Sequence, residues 1–380
     1  MRIYRVIESL FLRCIAFIWN LFVNIHEKKN IKKKKTLYCK HVLSTEQKQQ
    51  IDEFFLENYG RKVSYKWHRL YQSYTGKFDY RYIPEYIFTT KLELLSNKRV
   101  SVLPLENKAM LSNFIRGMSD LVRIPQTYIM CVQGRYYDSD GNLIDRNSAV
   151  EILKEINGGN YSAICKKTVD TSSGRDVRLL EIRGGIDQIQ SEDIESVLRS
   201  MGGDFVIQEK VMAHQAFSNL YAGSINTIRV VSYQASTGYK TAPAIMRIGR
   251  SGYVDNAHAG GMFIGVTNEG VLLKEAFTEY QERFEQHPVS GVRFEGYVLP
   301  RMADVIHAAI QMHKNYPSMR FISWDFTVDQ DANIVLIEAN LHSQTVWFSQ
   351  IAHGESFFGE DTAEMLQLVS KKRRNYRLLD

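Results

Sequence analysis

The sequence predicts an α+β fold resting mainly on antiparallel sheets, and two features carry that prediction. Strand-like runs outnumber helical ones, and several are joined by turns short enough to make hairpins, which connect antiparallel neighbours. The chain's 380 residues leave room for one large core or two to three sub-domains, which argues against disordered and disulfide-scaffold classes.

The chain begins with a basic, apolar-rich device. Its first 35 residues hold nine Lys or Arg against two Glu, while the rest of the chain is close to neutral, so the excess charge does not describe a nucleic-acid-binding body. Ile3, Ile7, Leu10, Cys14, Phe17, Leu21 and Ile25 recur every three or four residues and line one side of a helix. The uncharged run from Cys14 to Ile25 is too short to cross a bilayer and ends without a cleavage site for a secretory signal. The pattern predicts a helix lying in the inner membrane surface, with Lys28, Lys29 and the run Lys32 to Lys35 facing anionic lipid. Packing of that helix on the body of the protein or on a partner is the alternative. Cys14, Cys39, Cys131 and Cys165 form no CxxC pair and no zinc-type cluster, which predicts unpaired thiols in a reducing, cytoplasmic setting.

A helix follows over "LSTEQKQQIDEFFLENYG", capped by Ser44 or Thr45 and closed by Gly60. The Tyr-, Trp- and Arg-rich stretch from Lys62 to Asn97 reads as core more readily than as an acceptor-binding surface. A helix from Asn107 leads into strands "TYIMCV", "SAICKKTV" and "DVRLLEIRG", then a helix over "SEDIESVLRSM". Strands "DFVIQEKV", "INTIRVVSYQ" and "KTAPAIMRIG" come next. A hairpin around Asn268, Glu269 and Gly270, a helix over "RMADVIHAAIQMH" and a last hairpin, "FISWDFTVDQDANIVLIEANL", complete the pattern. The boundaries drawn are 1–35 for the basic helix and lysine linker, 36–128 for a helical, aromatic-rich region, 129–203 for a small lobe and 204–380 for a large lobe.

The last hairpin carries the chemistry. With its turn near Asp331 and Ala332, Asp325 falls opposite Glu338, and the period of a strand returns Asn340 to the same face. Two carboxylates and an amide oxygen make a hard donor set for magnesium. Glu338 sits in the apolar run "IVLIEANL", where an ionised carboxylate is costly without a cation. The competing reading is a solvated edge hairpin with Glu338 paired to an arginine.

"WDFTVDQDANIVLIEAN" resembles the metal-binding segment of ATP-grasp enzymes, in which an acidic residue precedes a Glu-x-Asn on the next strand. "SINTIRVVSYQ", "AIMRIGRSGYVDNAHAGGMFIGV", "WHRLYQSYTGKFDYRYIPE" and "VQGRYYDSDGNLI" are similar to a narrower group, the sugar-transfer-associated ATP-grasp proteins of bacterial surface-polysaccharide (capsule) biosynthesis. The resemblance runs from about Val63 to Leu368. It implies an ATP-grasp fold, two α+β lobes holding ATP between them after a helical N-terminal region. It further implies Lys108 and Lys166 as nucleotide lysines, and Ser172, Ser173 and Gly174 as a loop closing over the phosphates. Gln208, Glu209, Lys210 and Val211 match the hinge strand at the adenine, with His214 at the ribose. Arg229 and Arg247 match positions facing the phosphates, as catalytic groups for the transferred phosphoryl charge, and Asn226, Asn256, Gly260 and Gly261 match places where backbone approaches substrate closely.

The function so implied is an ADP-forming carboxylate–amine ligase working through an acyl-phosphate. ATP and Mg2+ are its cofactors, and its partners are a lipid- or nucleotide-linked sugar acid and an amine, with no nucleic acid. An ATP-grasp phosphotransferase and a non-catalytic scaffold in a polysaccharide assembly complex are the alternatives.

Overall fold

The computed structural model describes Cys14, Ile18 and residues 21–102, 105–118, 120–168, 177–252, 255 and 260–370. Two sheets organise it. The smaller has eight strands, in which Phe205–Glu209 lies between Thr127–Val132 and Asn160–Lys167, with Val177–Arg183 beyond the latter. The larger has nine strands and runs from Val122–Arg123 through Ile334–Asn340, Phe321–Val328, Thr227–Ala235, Ala244–Ile248 and Met262–Val266 to Leu272–Phe277 and Arg283–Phe284. All of these pairings are antiparallel except the edge pair Val122–Arg123 with Ile334 and Val335, which is parallel.

Sheet membership differs from the sequence boundaries at two points. Phe205–Glu209 hydrogen-bonds wholly within the smaller sheet, so the crossing between lobes comes after Glu209, not near 203. Val122 and Arg123, expected in the helical region, supply an edge strand of the larger sheet. Neither displacement has a signal in hydrophobic pattern, because sheet membership is decided by long-range pairing.

The large core lies between the nine-stranded sheet and helix Met302–Lys314, with Trp324, Phe326, Ile228, Met246 and Met312 all fully buried. A separate cluster under helices Arg146–Glu155 and Ile194–Met201 holds Ile129, Leu153, Ala163, Leu198 and Phe205 and gives the small lobe its own core. Helix Thr45–Asn58 starts as its sequence predicts: the Ser44 hydroxyl accepts from the Gln47 amide while the Gln47 side chain accepts from the Ser44 amide. The aromatic stretch after it is mostly core, with Tyr71, Tyr74, Tyr82 and Phe88 fully buried in edge-on contacts. The helix expected from Asn107 is a tighter 3₁₀ helix, Lys108–Ile115, its start capped by the Asn107 side chain.

Ile31, Lys34 and Tyr38 are buried against the body, while Ile18, Leu21, Phe22 and Ile25 stay exposed. Among the described residues, no helix is long and apolar enough to cross a membrane. All four cysteines are free thiols.

Candidate active site

Near its turn the last hairpin pairs Val328 with Ile334 and Phe326 with Leu336, a register that would set Asp325 against Ile337. A β-bulge between Asp325 and Phe326 shifts the pairing, and Asp325 meets Glu338 instead. The bulge changes the parity of the strand. Leu336 remains with Phe326 in the apolar core, both fully buried, while Glu338 and Asn340 turn to the face of Asp325. A regular strand would have placed Leu336 and Glu338 on one face and forced a choice between packing and chemistry.

The row continues across the sheet, because Arg229 is the direct cross-strand partner of Asp325 and Arg247 lies on the next strand opposite Thr227. Arg229 grips the Asp325 carboxylate at both ends, Nε to Oδ1 and Nη2 to Oδ2, each at 2.7 Å. Arg247 donates from Nη1 to Asp325 Oδ2 at 3.0 Å and from Nη2 to Asp255 Oδ1 at 2.7 Å. Asp255 also accepts from the Thr227 hydroxyl at 2.5 Å. Asn340 Nδ2 lies 3.5 Å from Asp325 Oδ2. Burial pushes the Asp325 carboxyl up, but the guanidinium groups of Arg229 and Arg247 outweigh it and hold the group below the usual carboxylate value.

Lys108 Nζ reaches Glu338 Oε1 at 3.0 Å from a 3₁₀ helix whose Leu111 and Phe114 belong to the large core. The Lys108 amide donates to the Thr168 carbonyl, tying the 3₁₀ helix to the end of the strand that carries Lys166. Lys166 is buried, and burial lowers its ammonium to about 8; Glu338 pulls it back up and Lys108 pushes it further down. Among the described residues, Lys108, Lys166, Arg229 and Arg247 thus gather around Asp325, Asp255 and Glu338.

The donor set also fits a magnesium ion. Asp325, Glu338 and Asn340 offer hard oxygens from adjacent strands, with the Glu338 side chain 32% exposed toward its opening. Among the described residues there is no group of three or more His, Cys, Asp or Glu placed to hold a metal by themselves. Here the third donor is an amide. In that role the ion would neutralise phosphate charge, with Asp325 kept ionised by its arginines.

The residues expected at the hinge are fastened more than they are open. Gln208 is buried, its side chain donating to Thr127 Oγ1 at 3.0 Å. The Glu209 carboxylate is held by Arg123 and by the Gln126 amide, and Arg123 reaches on to Asp329 at 2.8 Å. Lys210 lies 3.3 Å from Glu181, and Val211 is buried. His214 caps a four-residue helix, its Nδ1 accepting from the Ala216 amide at 3.1 Å. Asn226, fully buried at φ 45°, clips three segments together: its Nδ2 donates to the Phe217 and Tyr221 carbonyls and its Oδ1 accepts from the Gly249 amide and the Ser224 hydroxyl. Ser172, Ser173, Gly174 and Asn256 lie outside the described residues.

Asp255, Arg123 and Asp329 were not singled out by the sequence. Asp255 lies inside a quoted segment, "GYVDNAHAGG", but nothing local distinguishes a carboxylate that clamps Arg247 from one facing water. Arg123 and Asp329 are separated by 206 residues and meet only in the fold.

Two α+β lobes with a cation-ringed carboxylate row where they meet define an ATP-grasp protein. A family model described as sugar-transfer associated ATP-grasp matches residues 87–365, and the chain belongs to that family. Comparison with curated proteins gives no match. Among solved structures, D-cycloserine synthetase DcsG is similar at 13% identity, with 70% of each chain covered and a TM-score of 0.41. The ATP-grasp ligase PsnB, complexed with a phosphomimetic variant of minimal precursor, Mg and ADP, is 10% identical over 72% of this chain and 62% of its own, TM-score 0.39. VanG D-Ala:D-Ser ligase from Enterococcus faecalis is 12% identical over 71% of this chain and 62% of its own, TM-score 0.38.

Proposed function

We propose that this protein is an ADP-forming carboxylate–amine ligase acting on a sugar acid or an amino-acid-bearing precursor in surface-polysaccharide biosynthesis. The observation that carries the reading is the gathering of Lys108, Lys166, Arg229 and Arg247 around Asp325, Glu338 and Asn340, between lobes of a family whose description names sugar transfer. ATP binds with magnesium, which would be held by Asp325, Glu338 and Asn340 and would neutralise the phosphates. Lys166, buried and already short of solvation, gains most from a phosphate partner. A carboxylate oxygen of the substrate attacks the γ-phosphorus and ADP leaves; the amine nitrogen then attacks the acyl carbon, loses a proton, and phosphate leaves. Arg229 and Arg247 hold their charge beside the transferring group throughout, each braced by Asp325. Loop 172–174 and the hinge 208–211 with His214 and Asn226 border the nucleotide in this reading.

The test is incubation with Mg-ATP and pools of amino acids and uronic-acid nucleotides, following ADP and new product masses. A new amide with stoichiometric ADP supports the ligase. A stable phosphate ester would make the protein a phosphotransferase, and neither product nor ATP binding would leave only a scaffold.

The same reading sets the protein at the inner face of the membrane. Its support is the exposed stripe Ile18, Leu21, Phe22 and Ile25 beside the lysines, at the three- and four-residue spacing of one helix face. Co-sedimentation of the full chain with anionic vesicles, lost on deleting residues 1–25, is the expected result; sedimentation unchanged by the deletion contradicts it.

A further inference from the structure

A cavity of about 330 Å3 lies under the N-terminal helix, large enough for a small organic ligand. One wall is formed by residues 342–345, which directly continue the strand carrying Glu338 and Asn340. Glu27, Glu85, Glu93 and Glu279 all line it, and among the described residues lining it Lys34 is the single Lys or Arg. Glu85 and Glu93 are 3% and 2% exposed.

Among the described residues, Glu85 is only partly satisfied. Glu85 Oε2 accepts the Val346 and Trp347 amides at 3.2 and 3.1 Å, but its buried Oε1 has no hydrogen-bond partner among the described residues. Glu93 accepts the Gln344 amide at 2.8 Å, while the buried Gln344 Oε1 is likewise unpartnered. Unpaired acceptors in a cavity lined by carboxylates call for a donor with positive charge. Burial pushes Glu27 up to about 7, Glu93 up to about 8 and Glu85 well above the ordinary carboxylate value, so the charged forms are disfavoured without such a donor.

The protein already places one cation there. The Lys34 ammonium sits 4.4 Å from the Trp347 ring centroid and donates to Glu279 at 2.8 Å, with its side chain 8% exposed. Aromatic face plus carboxylate is the combination that recognises an alkylammonium group. Lys34 reaches this position from the basic linker, a segment that belongs to neither lobe.

We propose that this cavity binds an organic primary amine, and that Lys34 competes with it for the Trp347–Glu279 corner. Resting on the ligase reading, the ligand is the amine co-substrate, entering beside the wall that leads from Asn340. Glu85 and Glu93 then release their protons and pair with the ammonium and its chain-borne donors.

The experiment is calorimetric titration of the full chain, without nucleotide, using 1,4-diaminobutane, with 1,4-butanediol and succinate as neutral and anionic probes. The expected result is saturable binding of the diamine alone, weakened at least ten-fold by Glu93→Gln and tightened by Lys34→Ala. Gln keeps the acceptor for the Gln344 amide, so Glu93→Gln preserves the fold; the probe comparison on the unaltered chain stands regardless. Equal binding of diamine and diol, or no diamine binding by either the unaltered chain or Lys34→Ala, overturns the proposal. ADP-forming ligation without diamine binding would sink the cavity and spare the ligase, whereas diamine binding without any ADP formation would spare the cavity and sink the ligase.

Discussion

Glu338→Gln separates the metal and phosphate chemistry from stability, because among the described residues no arginine hydrogen-bonds to Glu338. Among the described residues it pairs with Lys108 at 3.0 Å, with side-chain exposures of 32% and 18%. A pair that open contributes about 0–1 kcal/mol, so the variant should melt within about 1 °C of the parent. Its response to nucleotide should change. A ligand present at a hundred times its Kd stabilises by about 2.7 kcal/mol. With about 2.1 cal/mol/K of unfolding entropy per residue and 380 residues, that corresponds to roughly 3 °C in Tm. A ten-fold weaker complex keeps only about 1.4 kcal/mol under the same conditions, less than 2 °C. Thermal melts with Mg-ATP, with ATP plus chelator and without ligand measure this directly, and turnover should fall about 10²–10³-fold through lost stabilisation of the phosphoryl charge. A full Mg-dependent shift and unchanged ADP release in Glu338→Gln would refute the assignment of this residue.

Three further outcomes follow. Asp325→Asn should destabilise by about 3 kcal/mol in urea titrations, since it strips Arg229 and Arg247 of the carboxylate that pairs them at 2.7 and 3.0 Å, besides abolishing activity. Lys166→Met should raise stability at pH 7 by about 1–3 kcal/mol while lowering activity at least a hundred-fold. The Lys166 ammonium, held down to about 8, carries a desolvation cost in the folded state that a neutral side chain lacks, and unchanged or lowered stability, or undiminished activity, would contradict this. The raised Glu93 carboxyl, at about 8, gives the opposite pH sign from an ordinary ion pair. Its contribution is complete below the unfolded value near 4.5 and is lost as pH rises to 8, so Glu93→Gln should flatten the fall in Tm between pH 5 and 8; parallel curves for the two proteins would contradict it.

The hairpin shows how far sequence reasoning reached. A turn centred near Asp331 and Ala332 gave the right cross-strand pair, Asp325 with Glu338, yet the register beside the turn is one residue off that centre and a bulge restores it. Strand periodicity reports which residues alternate, not where one extra residue is inserted, so the parity change that separates Leu336 from Glu338 has no local signature. The α+β class, the cap at Ser44, the helix Met302–Lys314 and the aromatic core were legible because each follows from local pattern and composition. The membership of Phe205–Glu209 in the smaller sheet, the Arg123 bridge between Glu209 and Asp329, and the use of Asn226 as a clip depend on partners distant in sequence. The docking of Lys34 against Trp347 and Glu279 belongs with them: a lysine run reads as solvated or lipid-facing until a cage of carboxylate and aromatic ring is brought to it from some 245 and 313 positions away.

The central claim is that Asp325, Glu338 and Asn340 hold a divalent ion together with a triphosphate. Electron paramagnetic resonance of Mn2+ titrated into the full chain with a non-hydrolysable ATP analogue tests it most directly. Ions should bind only when the nucleotide is present, and binding should be lost in Glu338→Gln and in Asn340→Leu. Mn2+ binding that ignores the nucleotide, or that survives both substitutions, would contradict it.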